Sequence, residues 1–159
     1  MLNQLSIKNF AIIDNLDISL KQGMSVITGE TGAGKSIAID ALGLTLGDRA
    51  EAGVVKHGAK RSDITAVFEV KNNPLALAWL EEHELDEDDV CILRRTISSS
   101  GGSKAYINGS PATLQQIKTL GELLIDIHSQ HQHQSLLRSD THRRLLDSYG
   151  QCTELAASV

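Results

Sequence analysis

The chain carries the octet Gly29-Glu30-Thr31-Gly32-Ala33-Gly34-Lys35-Ser36. It matches the phosphate-loop pattern G-x-x-x-x-G-K-[ST] at every fixed position. The flanks fit as well, because residues 24–28, Met-Ser-Val-Ile-Thr, predict a short buried strand and residues 37–44 predict a helix that starts directly after the loop. A strand, a glycine-rich turn and a helix N-terminus are the context that the pattern needs, and a chance glycine turn would not supply all three.

These residue types suit the binding of nucleotide phosphates. Glycines reach backbone angles that are closed to residues with a Cβ, so successive N–H groups can form a nest for an anion. The following helix adds its positive dipole end, Lys35 brings a cation to the β- and γ-phosphates, and the Ser36 hydroxyl is placed to bind Mg²⁺. The predicted nucleotide-binding residues are Gly29, Glu30, Thr31, Gly32, Ala33, Gly34, Lys35, Ser36 and Ile37.

The composition is that of a globular chain of ordinary domain size, since 41% of its 159 residues are apolar, which is enough for a real core. Aromatic residues make up only 3%, so that core must consist of Leu, Ile, Val and Ala. No stretch reaches the roughly 18 consecutive apolar residues of a transmembrane helix, and the N-terminus has no pattern of a secretory signal. Cys91 and Cys152 suit an intracellular protein with free thiols.

The net charge of −5 argues against a surface that is uniformly basic, as in proteins that coat nucleic acid. It does not exclude a local basic patch. The basic residues form three groups, and for each we favour a solvated face over a track for phosphates. The groups are Lys56 with Lys60 and Arg61, Arg94 with Arg95, and Arg143 with Arg144.

Besides the strand over residues 24–28, residue periodicity predicts six strands and four helices. The predicted strands cover residues 2–10, 12–20, 63–70, 90–97, 104–107 and 123–127, and the predicted helices cover 35–46, 75–83, 112–120 and a segment from about residue 142. The first two strands predict an antiparallel meander that leads to the phosphate loop. Gly47 suits a helix C-cap, residues 48–61 predict a loop with a short helical turn, and Asn108-Gly109 predicts a tight turn.

Asp126 follows the apolar stretch Leu123-Leu124-Ile125, which makes it a local candidate for the Walker B acid that binds Mg²⁺ opposite Ser36. With that assignment the chain would be a self-contained P-loop kinase or NTPase. Two features weaken this alternative. Ile127, not an acidic residue, comes after Asp126, and a tract of Gln and His residues follows.

Several stretches of the sequence together resemble one family. They are Leu5-Ser6-Ile7-Lys8-Asn9-Phe10-Ala11-Ile12-Ile13, Thr28 to Ile37 around the octet, Ala41-Leu42-Gly43-Leu44 with Leu46-Gly47, Leu93-Arg94-Arg95, Ile107-Asn108-Gly109 and Ile127-His128-Ser129-Gln130-His131. The octet alone occurs across SMC and ABC-type ATPases. The opening segment and the His/Gln stretch narrow the resemblance to the N-terminal head segment of the RecN family, bacterial DNA-repair ATPases of the SMC class.

The resemblance implies an α/β fold of the P-loop NTPase class, in which the chain is half of an ABC/SMC-type head (lobe I). An antiparallel β-subdomain would pack beside the P-loop core. Residues 1–138 would form the N-terminal half of the ATPase head, with the P-loop and the Q-loop. Residues 139–159 would begin the helix of a coiled coil, and in such proteins the signature motif and the Walker B acid come after that coil.

The resemblance also assigns roles to single residues. Gln130 matches the Q-loop glutamine, with Gln132 as second choice, and would contact Mg²⁺ or the water near the γ-phosphate. Lys35 and Gln130 would then be catalytic, Ser36 and Gln130 would hold Mg²⁺, and Asp126 would lose its Walker B role. Arg49 lies in the position of the arginine-bearing loop of SMC heads and would contact nucleotide or DNA, with a simple surface arginine as the alternative.

The implied function is ATP binding and hydrolysis that drives head engagement on DNA during double-strand-break repair and recombination. The cofactors would be ATP and Mg²⁺. The partners would be DNA, a second copy of the head in a homodimer that sandwiches ATP, and the C-terminal head segment of the same protein, with no membrane involved. The site of action would be the bacterial cytoplasm, in association with the nucleoid.

Overall fold

The computed structural model of the chain describes residues 1–28, 35–125, 127, 146, 149 and 150. The chain divides into two compact units, Met1–Ile125 and Asp126–Val159, and the first contains the sheet. In the second unit, Leu146 and Tyr149 have helical backbone, and the N–H of Gly150 donates to the carbonyl of Leu146 at 2.8 Å. This i to i−4 bond agrees with the helix that the sequence predicts from about residue 142.

Six strands form one antiparallel sheet with the order β2-β1-β3-β4-β5-β6. The strands are β1 Leu2–Phe10, β2 Ile13–Ser19, β3 Arg61–Glu69, β4 Val90–Ser98, β5 Ser103–Ile107 and β6 Ser110–Ala112. The predicted antiparallel meander at the start of the chain is confirmed as the β1–β2 pair. β6 was not predicted, because three residues are too few to show alternation and Pro111 suggested the first turn of a helix.

Three helices lie against this sheet or against one another. They are α1 Lys35–Thr45, α2 Pro74–Glu82 and α3 Leu114–Leu124, and a single 3₁₀ turn occupies Ala52–Val54. α1 contacts β1, β3 and β4, whereas α3 contacts β5 and α2. The structure confirms the predicted helices over residues 35–46 and 75–83. It also confirms the helical turn predicted within the loop of residues 48–61.

Alternate side chains of the central strands form the apolar core, as a period of two predicts. Ile7 lies opposite Ile64 and Leu93 lies opposite Ile107, and all four side chains are fully buried. Burial of one such side chain contributes about 1.5–3 kcal/mol to stability. The antiparallel pairs at the centre of the sheet therefore supply much of the free energy that holds this unit together.

The start of α3 differs from the prediction because a capping box sets it. The Thr113 hydroxyl accepts from the N–H of Gln116 at 3.2 Å, and the Gln116 side chain accepts from the N–H of Thr113 at 2.9 Å. These two bonds satisfy donors that the first helical turn leaves unpaired. The helix consequently begins at Leu114 and not at Ala112, the first residue of the predicted helix.

The end of α3 shows that the predicted strand over residues 123–127 is wrong. α3 continues through Leu124, and Ile125 is its C-cap, with its N–H donating to the carbonyl of Gly121 at 3.1 Å. Ile117, Leu120 and Leu124 recur at helical spacing, so the apolar run extends the buried side of a helix. A short apolar run does not by itself distinguish a buried strand from the last turn of a buried helix.

The predicted buried strand over residues 24–28 is also wrong. These residues pair with none of the strands in the part of the chain that the structure describes, and all five are exposed. Met24 is 94% exposed and Val26 is 78% exposed, which excludes a core position in this structure. Apolar composition favours a strand, but a strand is buried only where a neighbouring element covers it.

The predicted turn at Asn108-Gly109 is confirmed and has a precise role in the sheet. Both residues have positive φ, 46° and 80°, as a tight turn of this type requires. The Asn108 side chain accepts from the N–H of Ile92 at 2.7 Å and donates to the carbonyl of Leu85 at 2.7 Å. The turn therefore joins β5 to β6 and also ties both to the start of β4.

Charged and polar side chains surround Asp63 on the face of the sheet opposite the core positions. Asp63 on this face accepts hydrogen bonds from Arg94 at 2.6 Å and from Thr96 at 2.9 Å, and it pairs with Nε of Arg61 at 2.9 Å. Partial burial raises the pKa of the Asp63 carboxyl, but these hydrogen bonds and the charges of Arg61 and Arg94 outweigh it and hold the pKa below its ordinary value. Asp63 thus joins β3 to β4 through charged side chains.

The paired arginines of β4 separate into two environments. Arg94 is exposed, which agrees with the solvated face predicted for this group, whereas Arg95 is 2% exposed, which makes that prediction wrong for Arg95. Successive side chains of a strand point to opposite faces, so adjacent residues cannot share one surface.

None of the helices in the described ranges is long and apolar enough to cross a membrane.

Gly47 provides a test of how α1 ends. Its φ is +106°, and a Cβ at this position would lie 3.0 Å from Cβ of Lys118 and 3.2 Å from its backbone. We expect Gly47→Ala to lower the free energy of unfolding by about 1–3 kcal/mol in urea titrations, because both the backbone angle and the contact are strained. Gly53→Ala is the matched control, since Gly53 has no atom within 4 Å of such a Cβ. Equal losses in the two variants would contradict this account.

Asp63 predicts a pH dependence of stability. Because the pKa of the Asp63 carboxyl in the folded chain lies below its ordinary value of 3.8, its contribution to stability is present above that value and is lost as the pH falls through the folded pKa. Asp63→Asn should therefore be less stable than the wild type at pH 7, and the difference should shrink below about pH 4. Urea unfolding at pH 7, 5, 4 and 3 measures this, with the exposed Glu122→Gln as control. A difference that does not change with pH would refute the prediction.

Candidate nucleotide-binding site

The N-terminus of α1 lies where the phosphate-loop pattern requires it. The helix begins at Lys35, immediately after the last glycine of the loop, and Ser36 is exposed in its first turn. No acidic residue occupies that first turn, so no side chain of the helix itself neutralises the positive end of the dipole. Residues 29–34 and the Lys35 side chain lie outside the described residues, so their predicted contacts with phosphate remain predictions.

Small side chains hold α1 close to the sheet. Ala38 and Ala41 are 5% and 0% exposed, and the helix packs on β1, β3 and β4. Ile37 is half-buried, so its side chain takes part in packing. Its N–H belongs to the first turn, where the helix supplies no carbonyl partner, so the backbone is the group that Ile37 can offer to a phosphate. The fixed position of α1 keeps these donors in place.

The C-terminal end of α1 is fixed by close contacts with α3. A Cβ at Gly47 would meet Lys118 at 3.0 Å, and a Cβ at Gly121 would meet the Leu46 carbonyl at 3.2 Å. The Thr45 hydroxyl donates to the carbonyl of Leu42 at 2.7 Å inside the core. Glycine at the two contact positions allows the chain after α1 to lie directly on α3.

Arg49 lies beyond the other end of α1 from Ser36. With a rise of about 1.5 Å per residue, the two ends of α1 are about 15 Å apart. Arg49 is exposed, and it makes no hydrogen bond or ion pair with another residue within the described ranges. The structure therefore places Arg49 on the surface, beyond the end of α1 that lies opposite Ser36.

The other predicted site residues, Gln130, Gln132 and Asp126, lie outside the described residues. The structure nevertheless bears on the alternative in which Asp126 is a Walker B acid. That role needs an apolar strand that ends in the acid. Leu123 and Leu124 instead belong to α3, and the stretch before Asp126 ends as a helix C-cap. The self-contained kinase or NTPase therefore loses the strand on which it was based.

Sequence reasoning missed the burial of one charged residue. Arg95 is buried among core positions of β4, in the alternating series that also contains Cys91, Leu93 and Ile97. The period of two was the available signal, because it places Arg95 on the same side as three apolar residues. The adjacent Arg94 made the two arginines look like a surface pair.

Comparison with known proteins agrees with the fold and gives the family. The sequence profile of the AAA domain family matches residues 4–154. The DNA repair protein RecN of Vibrio cholerae is 55% identical over 155 residues, which cover 98% of this chain and 28% of that protein. RecN of Haemophilus influenzae is 49% identical and is aligned over 100% of this chain and 29% of its own length. The predicted resemblance to the RecN family is confirmed, and the chain spans about 28% of the length of these relatives.

Solved structures support the fold. A chain from work on ATP-driven dimerization and DNA-stimulated activation of SMC ATPases aligns with a TM-score of 0.66 and 22% identity, over 92% of this chain and 97% of that chain. The SMC head domain from Thermotoga maritima aligns with a TM-score of 0.58 and 23% identity, over 74% of this chain and 41% of that one. At such identities the likeness concerns the fold. Since the profile matches residues 4–154 of 159, this chain belongs to the AAA domain family, with the fold of an SMC-type ATPase head.

Proposed function

We propose that this chain is the ATP-binding half of an SMC-like ATPase that acts in DNA double-strand-break repair and recombination. One observation carries the proposal: the complete phosphate-loop octet runs directly into a helix that begins at Lys35 and is packed on the sheet. A helix N-terminus that follows a glycine-rich loop is a binding site for phosphates. The relatives that match nearly the whole chain are named DNA repair proteins, which supports the biological role.

The chemistry at this half-site is the positioning of phosphates. The amides of residues 29–34 and the first N–H groups of α1 would surround the β- and γ-phosphates, and Lys35 would add a cation. Because α1 is held by its buried alanines, the first N–H groups of the helix need not reorganise when charge develops on the transferred group. Gln130 would couple the γ-phosphate to movement of the lobe.

The residues present suit Mg²⁺. The exposed Ser36 hydroxyl stands in the first turn of α1, where a metal bound to nucleotide phosphates can reach it. Ser36 would hold the ion together with Gln130. When bound, Mg²⁺ neutralises phosphate charge. Lys35 and the loop amides, for their part, orient the nucleotide.

The site is completed by parts of a longer protein. We propose that residues 1–138 form the N-terminal half of the head and that residues 139–159 begin a coiled-coil helix, with the C-terminal head segment as the intramolecular partner. A second head would close over ATP and supply its signature motif, and DNA would bind through its backbone charge in the bacterial cytoplasm. ATP-driven dimerization and DNA-stimulated activation of the structurally similar SMC ATPases support this assignment.

Turnover measurements test the proposal. The 159-residue chain alone should hydrolyse ATP weakly or not at all, because the signature motif and the Walker B acid would lie in the other segment. Adding a separately expressed C-terminal head segment should restore ATP hydrolysis, and DNA should stimulate it further. Full turnover by the chain alone would overturn the half-site assignment and return the Walker B role to a residue of this chain.

Lys35→Ala tests the nucleotide site itself. Loss of a charge-assisted hydrogen bond of about 1.5–3 kcal/mol should raise the Kd for ATP and Mg²⁺ roughly 10- to 100-fold in calorimetric titrations. Lys21→Ala removes an exposed lysine outside the loop and is the matched control. An unchanged Kd in Lys35→Ala, with both variants folded, would show that the loop does not bind the nucleotide phosphates.

A further inference from the structure

Asn73 connects two helices through both ends of its side-chain amide. The Oδ1 atom accepts from the N–H of Ala76 at 3.1 Å and caps the first turn of α2. The Nδ2 atom donates to the carbonyl of Leu123, in the last turn of α3, at 2.6 Å. Turning the amide over would set N–H against N–H and oxygen against oxygen, so the two bonds fix its orientation. Asn73 therefore joins the start of α2 to the end of α3.

The bond from Asn73 caps the end of α3 from a distant part of the chain. The last carbonyls of an α-helix have no donor within the helix, and the Leu123 carbonyl is one of them. A side chain that lies 50 positions earlier in the sequence satisfies it. The C-cap Ile125 is already extended, with φ −156° and ψ 145°, so the backbone leaves the helix at this residue. A tertiary hydrogen bond therefore helps to fix the point at which the chain leaves α3.

The backbone of Asn73 is in turn fixed against the sheet. Its N–H donates to the carbonyl of Val70 at 2.8 Å, and Val70 is fully buried directly after β3. Two residues before Leu123, a Cβ at Gly121 would meet the Leu46 carbonyl at 3.2 Å, so α3 lies directly against the residue that follows α1. The end of α3 is thus held from β3 and from the end of α1, the helix that begins at the phosphate loop.

We propose that Asn73 is a positioning residue, which fixes, through the Leu123 carbonyl, the point from which the chain continues to Gln130. Gln130 follows Ile125 by five residues. A chain of that length reaches about 18 Å at most, so the position of Ile125 limits where Gln130 can act. The inference rests on the proposed function, in which Gln130 contacts Mg²⁺ or the water near the γ-phosphate, and Gln130 itself lies outside the described residues. Asn73 then affects turnover and leaves ATP binding by the phosphate loop unchanged.

Asn73→Asp separates the two bonds of the amide. At neutral pH the carboxylate still caps α2, but it has no N–H to donate to the Leu123 carbonyl. We would measure ATP turnover by this chain mixed with the C-terminal head segment, and the Kd for ATP and Mg²⁺ by calorimetry. Asn73→Asp should lower kcat about 10- to 100-fold, as a misplaced catalytic group does, and should leave the Kd within about twofold. A loss of folded protein would instead lower the stoichiometry of ATP binding together with kcat.

A double-mutant cycle with Gln130 decides whether Asn73 acts through it. In the Gln130→Ala background, Asn73→Asp should lower kcat by less than about a further twofold, because the residue that it positions is gone. Asn72→Asp makes the same change at the exposed neighbour and should leave kcat unchanged. If Asn73→Asp does not fold, Asn73→Ser takes its place and should give the same result, because its hydroxyl can cap α2 but is too short to bond Leu123 as well.

The outcomes separate this inference from the proposed function. An unchanged kcat in Asn73→Asp, or an effect that multiplies with that of Gln130→Ala, would overturn the inference and leave the ATP-binding half-site in place. A Gln130→Ala variant with normal turnover would do the same. No turnover by the wild-type mixture would refute the proposed function, and the inference with it.

Discussion

The antiparallel pairing of β1 with β3 connects the two parts of the sheet that lie on either side of the phosphate loop in the sequence. It places Leu5 opposite Ala66 and Ile7 opposite Ile64, and so joins the start of the chain to a strand that follows the phosphate loop and α1. Closing a loop of this length has an entropic cost, which the burial of these apolar side chains offsets. Because α1 packs on both strands, the pairing also determines where the helix N-terminus lies.

The candidate site therefore depends on packing contacts that α1 makes outside the phosphate loop. Ala38 and Ala41 let α1 approach the sheet, and Gly47 and Gly121 let its far end approach α3. A helix held at both ends presents its first N–H groups in a fixed direction. Binding phosphate through donors that are already in place avoids the reorganisation that water would need, which is the physical advantage of a helix N-terminus over a flexible loop.

The two adjacent arginines of β4 show how a sheet can place neighbouring residues of the same charge in different electrostatic environments. Arg94 meets Asp63 and water on the polar face, so its charge is balanced. Arg95 lies in the core and donates to the Ser103 hydroxyl, and no carboxylate among the described residues pairs with it. Two adjacent arginines thus have different surroundings, because the pleat turns them to opposite faces of the sheet.

Several features of this chain could be predicted from residues that are close together in the sequence. The octet with its flanking helix, the alternation of β1, β3 and β4 and the turn at Asn108-Gly109 all follow from residue type and spacing. Three other features became evident only in the folded chain. Residues 24–28 are exposed to solvent, residues 123–124 end a helix, and Arg95 is buried. Burial and charge pairing depend on contacts between two segments of the chain that are far apart in the sequence. An apolar or charged residue acquires its environment only when a distant part of the chain is placed against it.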